Sequence, residues 1–466
     1  MKITLLSFFF LIIYFTAFGQ KEITAESIYK EAKQFYEEGK YKTAFSLMKQ
    51  AAEKGHVFAQ NSLAYMYEAG IGTEKNYKNT FKWGLKAAQQ DYAIAQNNIG
   101  NLYYVGKGTK KNYKKAIKWY QKAAQQDYAK AQYYLGNMYY NGKGTKKDYT
   151  KAIKWYQKAA EQGYAEAQHN LANMYYDGAG VEKDYKKAIK WSQKAAKQGD
   201  ANAQYNLAMM YQDGEGIEKD NTKAAEWYLK AAKQGNVDAQ YNIAMLYVDG
   251  IGITKDYIEA IKWYRKAAEQ GDIDAQYNIG FMYEYGQGVE KDYTEAKKWY
   301  LKAAKNGNAN AQYSLGEIYE YGEEVKKDYA EAIKWYRKAA QQDHTIAQNS
   351  LGYIYEHGQG VKKDYKKAVE WYLKAAKQGD ANAQYNLAIM YEEGKGFIKN
   401  DTKAAEWYLK AAQQGDVDAQ YNLAMMYEDG QGVEKDYTEA IKWYRKAAQQ
   451  GDGDATEALM RLSYDD

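Results

Sequence analysis

The sequence predicts an all-α protein, an α–α superhelical solenoid of stacked 36-residue helix-pair repeats. Three observations carry this prediction. The dipeptide Ala-Gln recurs at Ala59, Ala95, Ala131 and every 36 residues on to Ala419, with no insertion or deletion. Within each period, apolar and small residues recur at spacings of three and four, the period of a buried helix face. Proline is absent from all 466 residues, so no ring interrupts helical hydrogen bonding. A chain this long exceeds one compact core, and units that bury their faces against sequence neighbours solve the problem in one dimension.

With the recurrent Ala as position 1, the first helix is predicted over about positions 1–11. Position 5 is always Leu or Ile, position 6 Ala or Gly, and position 9 Tyr. Gly at position 12 stops that helix, since it adopts positive φ without a Cβ clash. A second Gly at position 14 is present in ten copies, and Glu324 is the exception. Asp or Asn at position 18 is the expected N-cap of the second helix, and Asp436 with Glu439 has capping-box spacing. That helix is predicted over positions 19–32, with Tyr at 19, Ala at 22, Trp at 25, Tyr at 26 and Ala at 29 and 30. All eleven tryptophans of the chain stand at position 25, from Trp83 to Trp443, and are the expected large core anchors. Gly or Asp at position 33 ends the helix. Helices this short are marginal alone, so each pair must pack on its neighbours.

The pattern A-x-x-x-L-G/A-x-x-Y-x-x-G-x-G-x-x-x-D-Y-x-x-A-x-x-W-Y-x-x-A-A-x-x-G resembles the Sel1-like repeat, a tetratricopeptide-like helix pair. Eleven copies cover residues 59–454. Residues 24–58 lack the long glycine loop and have Leu47 where Trp would stand, so they look like a tetratricopeptide-like N-terminal cap. Residues 455–466 read as a C-terminal half-repeat cap, with Leu459 at position 5.

Residues 1–19 differ in kind. Lys2, the apolar run Ile3–Phe18 and the small-x-small triplet Ala17-Phe18-Gly19 read as a secretory signal peptide. The alternative is an uncleaved membrane anchor, but the run of 16 residues falls short of the ~20 that span a bilayer. The expected location is therefore secreted or periplasmic, with no stable membrane span after cleavage. Cysteine is absent, which excludes a thiol nucleophile, thiolate metal sites and disulfides. Net charge is only +5, so no electrostatic footprint for nucleic acid is present.

The motifs offer little chemistry. The glycine loops follow helices rather than strands, which argues against a phosphate cradle. His56, His169, His344 and His357 form no metal-ligand spacing. No catalytic residue, cofactor or metal is expected. Positions that vary between copies are free to carry function. If tetratricopeptide-like geometry holds, the first helix lines the concave face through positions 3, 7, 10 and 11. Tyr133, Tyr205, Tyr241, Tyr277, Tyr313, Tyr385 and Tyr421 at position 3, with Met209, Met245 and Phe281 at position 7, form the candidate partner-binding groove. Tyr suits this role as a large, stiff, half-polar contact. The competing reading is that these Tyr pack on neighbouring helices. The family resemblance implies a non-enzymatic scaffold or adaptor that binds protein partners. Cell-wall glycan (peptidoglycan) binding, with Tyr stacked on sugar rings, is the alternative. β-Lactam binding or hydrolysis, implied for cysteine-rich members of the family, is a further one, and this chain lacks their cysteines.

Overall fold

A computed structural model describes residues 24–322 and 326–464, so the signal segment 1–19 and Glu324 lie outside the described residues. Among the described residues there are 25 helices and no strand. The chain divides into two compact units, Met1–Asn236 and Val237–Asp466. The first unit holds six helix pairs, from Ala25–Glu37 with Tyr41–Glu53 to Ala201–Asp213 with Asn221–Lys233. The second holds six pairs, from Val237–Asp249 with Tyr257–Glu269 to Val417–Asp429 with Tyr437–Gln449, and ends on Gly453–Tyr464. Within each unit every helix packs on the one before and the one after it.

The ends of each helix follow from local chemistry. First helices begin two residues before the recurrent Ala, earlier than the sequence suggests. Position 34 is their N-cap: Asp200 accepts from the Ala203 N–H at 2.7 Å, and Asp380 from Ala383 at 2.7 Å. Gly at position 12 adopts the expected left-handed conformation, as at Gly106 with φ 88°. Position 18 caps the second helix, as where Asn112 accepts from the Lys115 N–H at 2.9 Å. The reciprocal half of the proposed capping box is not formed. The Asp436 N–H instead donates to the Tyr427 carbonyl at 2.9 Å, and Glu439 accepts from Lys442. The same backbone bond closes the loop in the other repeats described, from Asn76 on Tyr67 to Asn400 on Tyr391.

The core corrects the expected role of the tryptophans. Tyr at position 26 is the deeply buried aromatic, as at Tyr300, Tyr372 and Tyr408, each 0% exposed. Its ring lies against the small residue at position 6; a Cβ on Gly352 would sit 2.4 Å from Tyr372 Cδ1. Of the tryptophans, only Trp83, Trp263, Trp335 and Trp443 are buried, and the other seven are half-buried. Each carries the ammonium of the Lys three residues on, at 3.7–5.3 Å from its ring centre. The seven half-buried tryptophans therefore form an amphipathic outer layer, attracting a cation on the face the core does not cover.

The invariant Gln at position 2 is buried and ties repeats together. Gln60 Nε2 donates to the Ala52 carbonyl of the preceding unit at 3.1 Å. Its Oε1 accepts from Gln90, at position 32 of its own repeat, at 2.8 Å. Equivalent Gln–Gln bonds of 2.7–2.9 Å recur through both units. One repeat breaks the series. Asn306 replaces Gln at position 32, is one methylene short, and donates to the Lys302 carbonyl instead. Gln276 Oε1 is left buried without a hydrogen-bond partner. Asn306→Gln should restore the bond and stabilise the second unit by about 0.5–1.5 kcal/mol; an unchanged urea midpoint would show that the orphaned oxygen costs nothing.

Candidate partner-binding face

The seven position-3 tyrosines are half-buried, placed between core and surface. Each lies against the position-26 Tyr of its own repeat, with ring centres 5.6–6.0 Å apart: Tyr133 on Tyr156, Tyr205 on Tyr228, Tyr241 on Tyr264, Tyr277 on Tyr300, Tyr313 on Tyr336, Tyr385 on Tyr408 and Tyr421 on Tyr444. Their recurrence thus has a packing cause. The position-7 residues are more open. Met245 is exposed, while Met209 and Phe281 are half-buried, and the Phe281 ring lies tilted against Tyr285 with ring centres 4.4 Å apart.

Several exposed aromatics of the first helices were not among the residues singled out from the sequence. Tyr65 and Tyr353 at position 7 are 54% and 43% exposed, and Tyr285 and Tyr321 at position 11 are 59% and 66% exposed. Each appears once or twice at its position, so recurrence did not mark it. At position 11 the signal was the reverse, Tyr where most sister repeats carry Asn, Asp or Glu; at position 7, where Met209, Met245, Phe281, Ile389 and Met425 also stand, Tyr carries no such contrast. Tyr321 and Tyr353 line a cavity of about 430 Å³ with Glu320, Lys327, Asn349 and Ser350.

The polar edge differs between the units. In the first, hydroxyls of the buried tyrosines reach neutral acceptors: Tyr120 donates to Asn101 at 2.6 Å and Tyr228 to Gln212 at 2.8 Å. In the second, Tyr300, Tyr336, Tyr372, Tyr408 and Tyr444 donate to Glu284, Glu320, Glu356, Glu392 and Glu428 at 2.5–2.8 Å. Burial pushes the Glu317 carboxyl above the usual carboxylate range, opposed by the Tyr313 hydroxyl that donates to it at 2.8 Å.

The histidines are structural. Among the described residues no cluster of His, Asp and Glu could hold a metal ion. His169 Nε2 pairs with Asn173 at 3.1 Å. The Ser-x-x-Lys spacing that β-lactam chemistry would call for occurs at Ser27–Lys30 and Ser46–Lys49, but both lie on exposed helix faces and both lysines face glutamates. His344 is an N-cap whose Nδ1 accepts from the Ala347 N–H at 3.2 Å. Burial lowers its pKa. An imidazole with a depressed folded pKa must take up a proton to unfold in acid. Stability should fall as pH drops below the unfolded value of about 6.5 and level off below the folded one. His344→Asn keeps a neutral cap, as Asn308 does on Ala311 at 2.8 Å. It should remove this acid-dependent loss. Equal melting-temperature slopes between pH 7.5 and 5 in both proteins would refute the assignment.

The comparisons with known proteins agree with this architecture. The Sel1 repeat model matches twelve consecutive segments, beginning with 26–56, 57–92 and 93–128 and ending with 417–452. The first match falls within the segment that lacks the glycine loop. The crystal structure of c5321, a protective antigen of uropathogenic Escherichia coli strains with an SLR fold, is 38% identical. It matches over 90% of both chains with a TM-score of 0.83. A Sel1 repeat protein from Oxalobacter formigenes is 35% identical over 52% of this chain and 96% of its own, with a TM-score of 0.47. No curated protein matches the chain. Twelve tandem matches and a close structural likeness along nearly the whole length leave one conclusion: the protein belongs to the Sel1 repeat family.

Proposed function

We propose that the chain is an exported, non-enzymatic scaffold that binds protein partners through the outward faces of its first helices. One observation carries the reading. The recurring residues are spent on caps, loops and packing, and the first-helix positions that vary expose large aromatic and apolar side chains, among them Tyr65, Met245, Tyr285, Tyr321 and Tyr353. Exposed Tyr rimmed by polar groups is the composition of interface hot spots. Export rests on the apolar, small-x-small character of residues 1–19. No helix of the described residues is long and apolar enough to cross a membrane.

The test compares Tyr321→Ala/Tyr353→Ala with the parent chain in crosslinking capture from a native envelope extract. Because both side chains are exposed, the double substitution should weaken capture at least about tenfold while leaving the melting temperature nearly unchanged. Unchanged capture would remove this face from the interface. Retention on purified peptidoglycan, with no protein captured, would overturn the scaffold reading in favour of glycan binding.

A further inference from the structure

Position 26 is Tyr in nine of the eleven repeats, and the exceptions are Gly84 and Ser192. One cavity is lined by Gly84, and another lies in the region of the Ser192 repeat, over Asn173 and the first helix that follows. That of Gly84, about 190 Å³, is lined by Ala64, Glu68, Thr80 and Ile99 among others. That of the Ser192 repeat, about 220 Å³, is lined by Asn173, Tyr176, Asp177, Asn206, Met209 and Met210. Where Tyr120 is present, the corresponding cavity measures about 130 Å³.

The preceding repeat shows what the Ser192 slot is shaped to hold. There the Tyr156 hydroxyl donates to Asn137 Oδ1 at 2.5 Å, and Asn170 Nδ2 donates to the same oxygen at 3.3 Å. One repeat on, Asn206 Nδ2 donates to Asn173 Oδ1 at 2.7 Å, but the chain supplies no phenol to share that oxygen. The residue in the phenol's place, Ser192, is 0% exposed, and its hydroxyl has no hydrogen-bond partner. An sp² oxygen takes two donors, and a buried hydroxyl without a partner is costly. Met209 and Met210 add polarizable sulfur, which packs well against a ring.

We propose that this slot receives a tyrosine side chain carried by a partner polypeptide. The hydroxyl donates to Asn173 Oδ1, and the ring lies against Met209 and Met210. The proposal rests on the scaffold reading and supplies the partner's chemistry: the partner contributes the ring that nine sister repeats supply from their own chain.

The test titrates N-acetyl-tyrosinamide into the full chain and follows the methyl resonances of its methionines. Shifts should be confined to Met209 and Met210. N-acetyl-phenylalaninamide, without the hydroxyl, should bind about three- to tenfold more weakly. Ser192→Tyr should fill the slot and abolish both shifts. Asn173→Ala keeps the slot but removes the acceptor, and should bring the two probes to equal affinity. No shift in the parent chain, or equal tyrosinamide binding by parent and Ser192→Tyr, would overturn the slot. Partner capture that survives in that case would leave the scaffold reading standing. Tyrosinamide binding by a chain that captures no protein would instead overturn the scaffold reading and, with it, the partner-borne occupant.

Discussion

Replacing Tyr372 with Ala should cost about 3–5 kcal/mol, the scale of a large aromatic truncated in a close-packed core. The ring is fully buried over Gly352, and its hydroxyl donates to Glu356 at 2.8 Å. Truncation therefore opens a cavity and removes a donor from a carboxylate whose cationic partner, Lys395, is 4.0 Å away. Tyr372→Phe isolates the second effect and should cost about 0.5–1.5 kcal/mol. Trp371, the larger side chain next door, should matter less. It is half-buried and holds Lys374 at 4.1 Å over its open face. Its truncation to Ala should cost about 1–3 kcal/mol, mostly lost apolar area. Urea unfolding of the three variants decides the order, and a larger loss at Trp371 than at Tyr372 would refute this account of the core.

That order marks the limit of what the sequence makes legible. The 36-residue period specifies helix number, loop positions and the glycine stops, because each depends on local backbone chemistry. It does not separate positions 25 and 26, since both are aromatic and both lie one turn from the Ala at 22 and 29. Only the neighbouring first helix, with Gly or Ala at position 6, selects position 26 for the interior. The capping box failed for a similar reason: the Asp436 N–H is claimed by the Tyr427 carbonyl across the loop. The role of Gln at position 2 was hidden, although the residue itself served as the ruler, because its partners lie eight residues back and 30 residues on. The candidate face was half legible. Its position-3 tyrosines recur because they pack on a second ring, whereas Tyr321 and Tyr353 stand out only once exposure is known.

The two glycines of the loop, alike in sequence, should respond to substitution by different mechanisms. Gly106 at position 12 terminates its own helix. Gly108 at position 14, with φ 70°, lets the loop approach the second helix of the preceding repeat. A Cβ there would lie 1.9 Å from the Tyr77 carbonyl oxygen and 2.6 Å from its carbon. The same approach recurs at Gly72 on Tyr41 and at Gly432 on Asp401. A backbone carbonyl in a helix cannot turn aside as a side chain would, so the repeats themselves must separate. Gly163, at position 33, is the control. Its φ is 89°, yet a Cβ would meet nothing within 4 Å, and Asp91 holds the same position with φ 61°. Gly163→Ala should carry only the left-handed penalty, about 1–2 kcal/mol. Gly108→Ala adds overpacking of about 1–3 kcal/mol to that penalty. Because each repeat of the stack leans on its neighbours, the extra loss should appear as faster hydrogen exchange in Tyr77–Gln89, the helix the loop approaches, and Tyr113–Gln125, the helix it leads into. Equal stability of the two variants would mean that position 14 is glycine for its backbone conformation alone, and that the second glycine of the loop has no part in joining repeat to repeat.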